Sequence, residues 1–270
     1  MGAGERMSKK MPSVVTRLVV TITFVLMVFV NFLANALPLN GRQTGEVSDL
    51  YGNLFAPAGV TFAIWGLIYL LLGSHVLYQW GLFHRGGRLE GSLLSRIGTL
   101  FSLSSVANTG WILAWHYDFI WLSALLIISI LLLIAINQTI VRLELTPREE
   151  LLVRLPFSVY FGWITVATVA NITAWLVSIE WSGFGLSEPV WAVVIIAVAA
   201  SIGTVTMLRN RDFAYGLVLI WAFIGIAIKH TSDAGFAGNY PAVIVTTIAC
   251  IAVFAASVAM IVWRGRPRGA

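Results

Sequence analysis

Apolar residues fill this chain in long unbroken blocks, and polar residues are confined to short gaps between them. None of the blocks shows the two-residue alternation of a half-buried strand. Crossing roughly 30 Å of hydrocarbon takes about 20 apolar residues in a helix. Eight stretches meet that length, at 14–37, 57–82, 97–115, 119–141, 151–178, 189–208, 213–230 and 241–263. Only helices and closed barrels satisfy their backbone in lipid, and runs this long are helices. The pattern therefore predicts an all-α integral membrane protein with eight transmembrane helices.

The polar residues inside the blocks are neutral. Asn31 and Asn35 fall one turn apart in the first span, Asn108 lies in the third, Asn137 and Gln138 near the end of the fourth, and Asn171 in the fifth. An amide facing lipid is costly, so these side chains are expected to face inward, as glue between helices or as contacts to a ligand. Gly162, Ala167, Ala170 and Ala174 in the fifth span allow close helix approach, and small residues of this kind leave room for a homodimer.

Every Asp and Glu falls in a gap or at a helix end. An ion-coupled transporter generally keeps an ionisable group within the membrane, so the pattern argues against one. Of the four histidines, His84, His116 and His230 sit at edges, and only His75 lies inside a span, where a hydrogen-bonded structural role is expected. Lys229 lies near the outer end of the seventh span with no carboxylate expected at its depth, which disfavours a Schiff-base chromophore. No nucleophile and base, phosphate-cradling glycine loop or metal-ligand spacing appears, so no enzymatic activity, metal or cofactor is expected.

Composition agrees: 59% of residues are hydrophobic and 11% charged, against about a quarter charged in soluble domains. The net charge of +5 comes from basic residues spread over the gaps, which argues against nucleic-acid binding. Cys250 is the one cysteine, so no disulfide forms within the chain.

Basic residues mark the cytoplasmic side. With the N-terminus inside, Arg6, Lys9, Lys10, Arg17, Arg85, Arg88, Arg96, Arg142, Arg148, Arg154, Arg209, Arg211, Arg264, Arg266 and Arg268 are cytoplasmic, and only Arg42 and Lys229 of the 17 basic residues are not. Both termini are then cytoplasmic, in what is expected to be the plasma (inner) membrane of a prokaryote. A competing expectation is a signal peptide cleaved at Ala34-Asn35-Ala36, although the apolar run from Val14 to Leu37 is longer than the usual signal core of roughly 7 to 15 residues.

The chain holds 11 tryptophans, more than an interfacial belt needs. Trp80 and Trp263 fall at inner ends, and Trp115, Trp121, Trp175, Trp181 and Trp191 near outer ones. Trp65, Trp111, Trp163 and Trp221 lie deeper, as core filling or as flat surfaces for a flat ligand. Three of them stand in ordered motifs. Pro57, Phe62, Trp65, Tyr69 and Gly73 mark the second span, Asn108-Thr-Gly-Trp111 the third, and Tyr160-x-x-Trp163-x-x-x-Ala167-x-x-x-Asn171 the fifth. At about 100° per residue, 62, 65 and 69 share one helical face, as do 160, 163, 167 and 171.

These three motifs, in this order, resemble the TspO/MBR family, the tryptophan-rich sensory proteins related to the peripheral benzodiazepine receptor. The resemblance covers about residues 14–178. The family's Trp-Tyr and double Pro before the second helix are reduced here to Tyr51 and Pro57, Phe62 stands one residue closer to the tryptophan, and the proline usual just before the fifth-helix Tyr sits at Pro156. The resemblance implies a five-helix bundle over 14–178, followed by three additional spans over 179–263, with basic tails at 1–13 and 264–270. It also implies a pocket closed by the loop between helices one and two, and membrane-embedded partners such as tetrapyrroles, sterols and other small apolar ligands.

Carried onto matching positions, the implied ligand-binding residues are Pro57, Phe62, Trp65, Tyr69, Asn108, Trp111, Tyr160, Trp163, Ala167 and Asn171. Arg42 is either a solvated loop residue or the cation that meets an anionic ligand group at the mouth. The function expected is that of a receptor-like protein that binds, and transports or senses, a porphyrin or related ligand. The competing expectations are an uncoupled carrier of small solutes and, third, a porphyrin-degrading enzyme.

Overall fold

The computed structural model describes residues 11–37, 39–83, 87–140 and 145–265. All regular structure among them is helical. In chain order the helices are α1 (Val14–Ala36), a short α2 (Thr44–Leu50), α3 (Ile64–Gln79), α4 (Gly91–His116), α5 (Ile120–Ile140), α6 (Leu155–Ser178), α7 (Glu188–Asn210), α8 (Phe213–Thr231) and α9 (Pro241–Gly265). A 3₁₀ turn at Gly59–Ala63 leads into α3, and a first turn at Pro147–Glu149 with a wider π-type turn at Glu150–Arg154 leads into α6. Among the described residues, eight helical segments are long and apolar enough to span a membrane, as the hydrophobic pattern predicts. The protein is an all-α, multi-pass integral membrane protein. Arg6, Lys9, Lys10, His84, Arg85, Arg142, Arg266 and Arg268, which belong to the charge pattern or to the four histidines, lie outside the described residues.

Two spans begin earlier than their apolar runs. The third starts at Gly91 and the fifth at Pro147. Thr146 explains the second case: its hydroxyl accepts from the Glu149 N–H, Pro147 takes the first helical position, and the Glu149 carboxylate returns to the Thr146 N–H at 2.8 Å. This is a capping box, a polar start signal that hydropathy does not register.

Contacts divide the chain into two compact units, Met1–Gly41 with Trp65–Phe161, and Arg42–Ile64 with Gly162–Ala270. In the first unit α4 packs against both α1 and α5. On α1, Val20, Met27 and Asn31 are buried, while Val15, Ile22 and Phe29 point outward. The polar residue thus faces protein and the large apolar ones are left for lipid, as membrane helices require.

The same unit buries a carboxylate. Glu149 is fully buried, and its Oε1 accepts from the backbone N–H groups of Arg88 at 2.7 Å and Leu89 at 2.8 Å and from the Tyr78 hydroxyl at 3.2 Å. Its Oε2 accepts from the N–H and the hydroxyl of Thr146, both at 2.8 Å. One side chain thereby fastens the end of α3, the segment before α4 and the entry to α6. His75 is likewise tied, with Nδ1 3.1 Å from the Leu152 carbonyl and Nε2 3.0 Å from the Gln79 amide. Its ring meets Phe157 edge-on at 4.8 Å, which fits the structural role expected of it.

In the second unit α9 packs on α7 and α8. Phe223 and Phe254 meet edge-on at 4.9 Å across the α8–α9 contact. The connection that precedes α3 is strapped to α8 at four points. The Ala58 N–H donates to the Gly225 carbonyl at 3.0 Å, and the Trp221 indole N–H to the Thr61 carbonyl at 3.0 Å. His230 Nε2 lies 2.8 Å from the Leu54 carbonyl, and the Lys229 ammonium pairs with Asp49 of α2 at 2.8 Å. Gly225 makes the approach physically feasible, since a Cβ there would overlap the Thr61 side chain.

Three expectations change here. Lys229 does have a carboxylate at its depth, because α2 brings Asp49 to it. Asn35 is exposed and donates to the Asn31 carbonyl at 3.0 Å instead of joining Asn31 in an inward stripe. Trp221 is 39% exposed and lies on the outside of α8, its N–H satisfied by Thr61.

Replacing Glu149 with Gln exchanges an acceptor of five hydrogen bonds for a group with one acceptor atom, and charge-assisted bonds of this kind each contribute about 1.5 to 3 kcal/mol. Thermal unfolding in detergent should show Glu149→Gln destabilised by about 3 kcal/mol, with Glu90→Gln, exposed just before α4 and making no capping bond, close to wild type. Equal melting temperatures would remove the role assigned to this carboxylate.

Candidate functional site

The site is built from the motif residues, and in the first unit five of them converge. Trp65 opens the α-helical part of its span at a position 9% exposed. Four residues on, Tyr69 stacks against it with ring centroids 5.5 Å apart and planes 20° from parallel. Trp111 of α4 approaches the same indole at 5.9 Å, and Tyr160 of α6 meets it edge-on at 6.2 Å. Trp115, one turn beyond Trp111, stacks on that ring at 6.2 Å. The sequence placed Trp115 in the interfacial belt. It is 5% exposed and belongs to the cluster instead, and its spacing of four from Trp111 is the signal that could have placed it there.

Amides set the geometry of these rings. The Asn31 amide donates to the Asn108 side-chain oxygen at 2.8 Å and to the Met27 carbonyl at 2.9 Å. The Asn108 amide in turn donates to the Tyr160 hydroxyl at 3.1 Å. Asn31, Asn108 and Tyr160 are all buried, so this relay links α1, α4 and α6 where no water competes. The Tyr69 hydroxyl is the exception: it is buried and has no hydrogen-bond partner. A buried hydroxyl without a partner costs about 1 to 3 kcal/mol. None of the cluster residues is charged.

The other motif positions belong to the second unit. Trp163 is 2% exposed and meets Phe62 edge-on at 5.8 Å. Pro57 and Asn171 are buried, Ala167 is half-buried, and Arg42 is half-buried just before α2 and engaged by a partner. Phe62 lies on the 3₁₀ turn, so the 3.6-residue period that put it on one face with Trp65 and Tyr69 does not extend to it. The same unit holds a cleft of about 420 Å³, bordered by residues 52–55 and by the segment joining α6 to α7, and no motif residue lines it.

A family described as TSPO-like protein matches residues 17–261. The chain belongs to this TSPO-like family. The match runs past the five spans that carry the motifs and through α7, α8 and α9, so these helices are part of what the family shares. No match is found among curated proteins or among solved structures. Among the described residues of this TSPO-like chain there is no group of His, Cys, Asp or Glu able to hold a metal ion, and the thiol of Cys250 is buried within α9.

The Asn31–Asn108 bond is testable as a pair. Interhelical hydrogen bonds in membranes contribute on average about 0.6 kcal/mol and up to about 1.7 kcal/mol. A double-mutant cycle of Asn31→Ala and Asn108→Ala, read by unfolding in detergent, should give a coupling of about 1 kcal/mol, and Asn35→Ala should show no coupling to Asn108→Ala. Strictly additive losses would mean that the two amides are not bonded in the membrane.

Proposed function

We propose that this TSPO-like protein binds a tetrapyrrole or another planar apolar ligand against the Trp65 cluster, as a membrane receptor or carrier for it. The observation that carries the reading is the convergence of Tyr69, Trp111 and Tyr160 on Trp65, together with a buried Tyr69 hydroxyl that lacks a partner. A flat macrocycle placed on these rings exchanges ring–ring for ring–ligand stacking, and an acceptor on its edge satisfies the hydroxyl. Recognition then rests on shape and π faces instead of fixed charge. The amide relay holds Tyr160 and, through it, the orientation of the indole. Both termini are proposed to be cytoplasmic, in a prokaryotic inner membrane.

Protoporphyrin IX should quench the intrinsic fluorescence of the detergent-solubilised protein saturably, at micromolar concentration. Trp65→Ala should weaken binding about tenfold, the equivalent of one to two aromatic contacts, while Trp221→Phe leaves it unchanged. Quenching that never saturates, or that saturates in Trp65→Ala at the same concentration as in wild type, would set the reading aside, and solute flux in proteoliposomes without such binding would favour a carrier of small solutes.

A further inference from the structure

The cleft of the second unit has a composition of its own. Leu54, Phe55, Leu176 and Ile195 give it an apolar wall, and Leu54 and Phe55 are buried. Trp181 and Trp191 line it too, their ring centroids 5.0 Å apart and their planes 58° from parallel, so the two indoles form a corner, with Phe184 packed against both. The corner is fixed. The Trp191 N–H donates to the Gly183 carbonyl, and Gly183, at a φ of +63°, leaves no room for a Cβ, which would run into the Trp191 ring. Glu180 and Glu188 complete the lining, both exposed, and no Lys or Arg is part of it. Neither carboxylate is ion-paired among the described residues.

An interfacial belt accounts for tryptophans at the end of a span. It does not account for two unneutralised carboxylates beside a rigid indole corner at the end of an apolar cleft. Aromatic faces attract a poorly hydrated ammonium group, and quaternary ammonium ions are the ligands that such corners typically recognise. A volume near 420 Å³ lies within the range of small-molecule sites.

We propose that this cleft binds an amphipathic organic cation, a quaternary or alkyl-substituted ammonium. Its head group sits against Trp181 and Trp191 and is neutralised by Glu180 and Glu188, and its apolar chain lies along Leu54, Phe55, Leu176 and Ile195. The cleft shares no residue with the Trp65 cluster, so the two sites are separable by mutation.

The test uses the full-length protein in a non-ionic detergent, titrated with hexyltrimethylammonium and, as a control of equal chain length and opposite charge, hexanesulfonate. Binding is read by titration calorimetry. The cation should bind saturably and hexanesulfonate should not. The double variant Glu180→Gln, Glu188→Gln, altered only at exposed positions, should bind the cation about tenfold more weakly, the loss expected of a charge contact at a partly desolvated site. Trp191→Leu should abolish binding, and Trp65→Ala should leave it intact. Protoporphyrin quenching in the Glu variant provides an independent check of folding. The proposal is overturned if the cation does not saturate, if hexanesulfonate binds as tightly, or if the double Glu variant binds as wild type does.

Discussion

A side-chain amide in the hydrocarbon of a bilayer has no solvent to bond with, so its partners must come from the protein, and that requirement arranges the first unit. Asn108 stands at the centre. It accepts from Asn31 on α1 and donates to Tyr160 on α6, so three helices meet at one residue with no charge involved. The ring orientations follow. Tyr160 is held by its hydroxyl, which sets its plane against Trp65, and Trp65 in turn lies between Tyr69 and Trp111. A ring cluster held this way is fixed by satisfied amides and carries no charge.

Full charges obey the same constraint by a different route. Glu149 is buried only because five donors surround it, supplied by a helix cap, a neighbouring loop and a tyrosine. Lys229 and Asp49 neutralise each other near the end of α8, where His230 also holds the Leu54 carbonyl. In the second unit α8 thus straps down the connection between the first two spans.

Span number and helix type were legible from apolar run length alone, because lipid enforces both. That Trp65 and Tyr69 share one face was legible from their four-residue spacing, whereas the part of Trp111, on another helix, came only from the resemblance of the motifs. What the sequence concealed depended on local departures from that period or on distant partners. Phe62 sits on a 3₁₀ turn, where an α-helical projection misplaces it. Asp49 reaches Lys229 from 180 positions away through a helix too short and polar to register among apolar runs. Asn35 satisfies itself on the preceding turn, an option open to any helical Asn and invisible to a count of polar residues.

The central claim, that the Trp65 cluster is the surface on which a flat ligand lies, is tested most directly by photo-crosslinking the membrane-embedded protein with a diazirine-bearing porphyrin and mapping the adducts by mass spectrometry. The account predicts saturable adducts on Trp65, Tyr69 or Trp111 that are competed away by unmodified porphyrin. Adducts confined to outward-facing residues such as Leu70 and Val106, and unaffected by competitor, would contradict it.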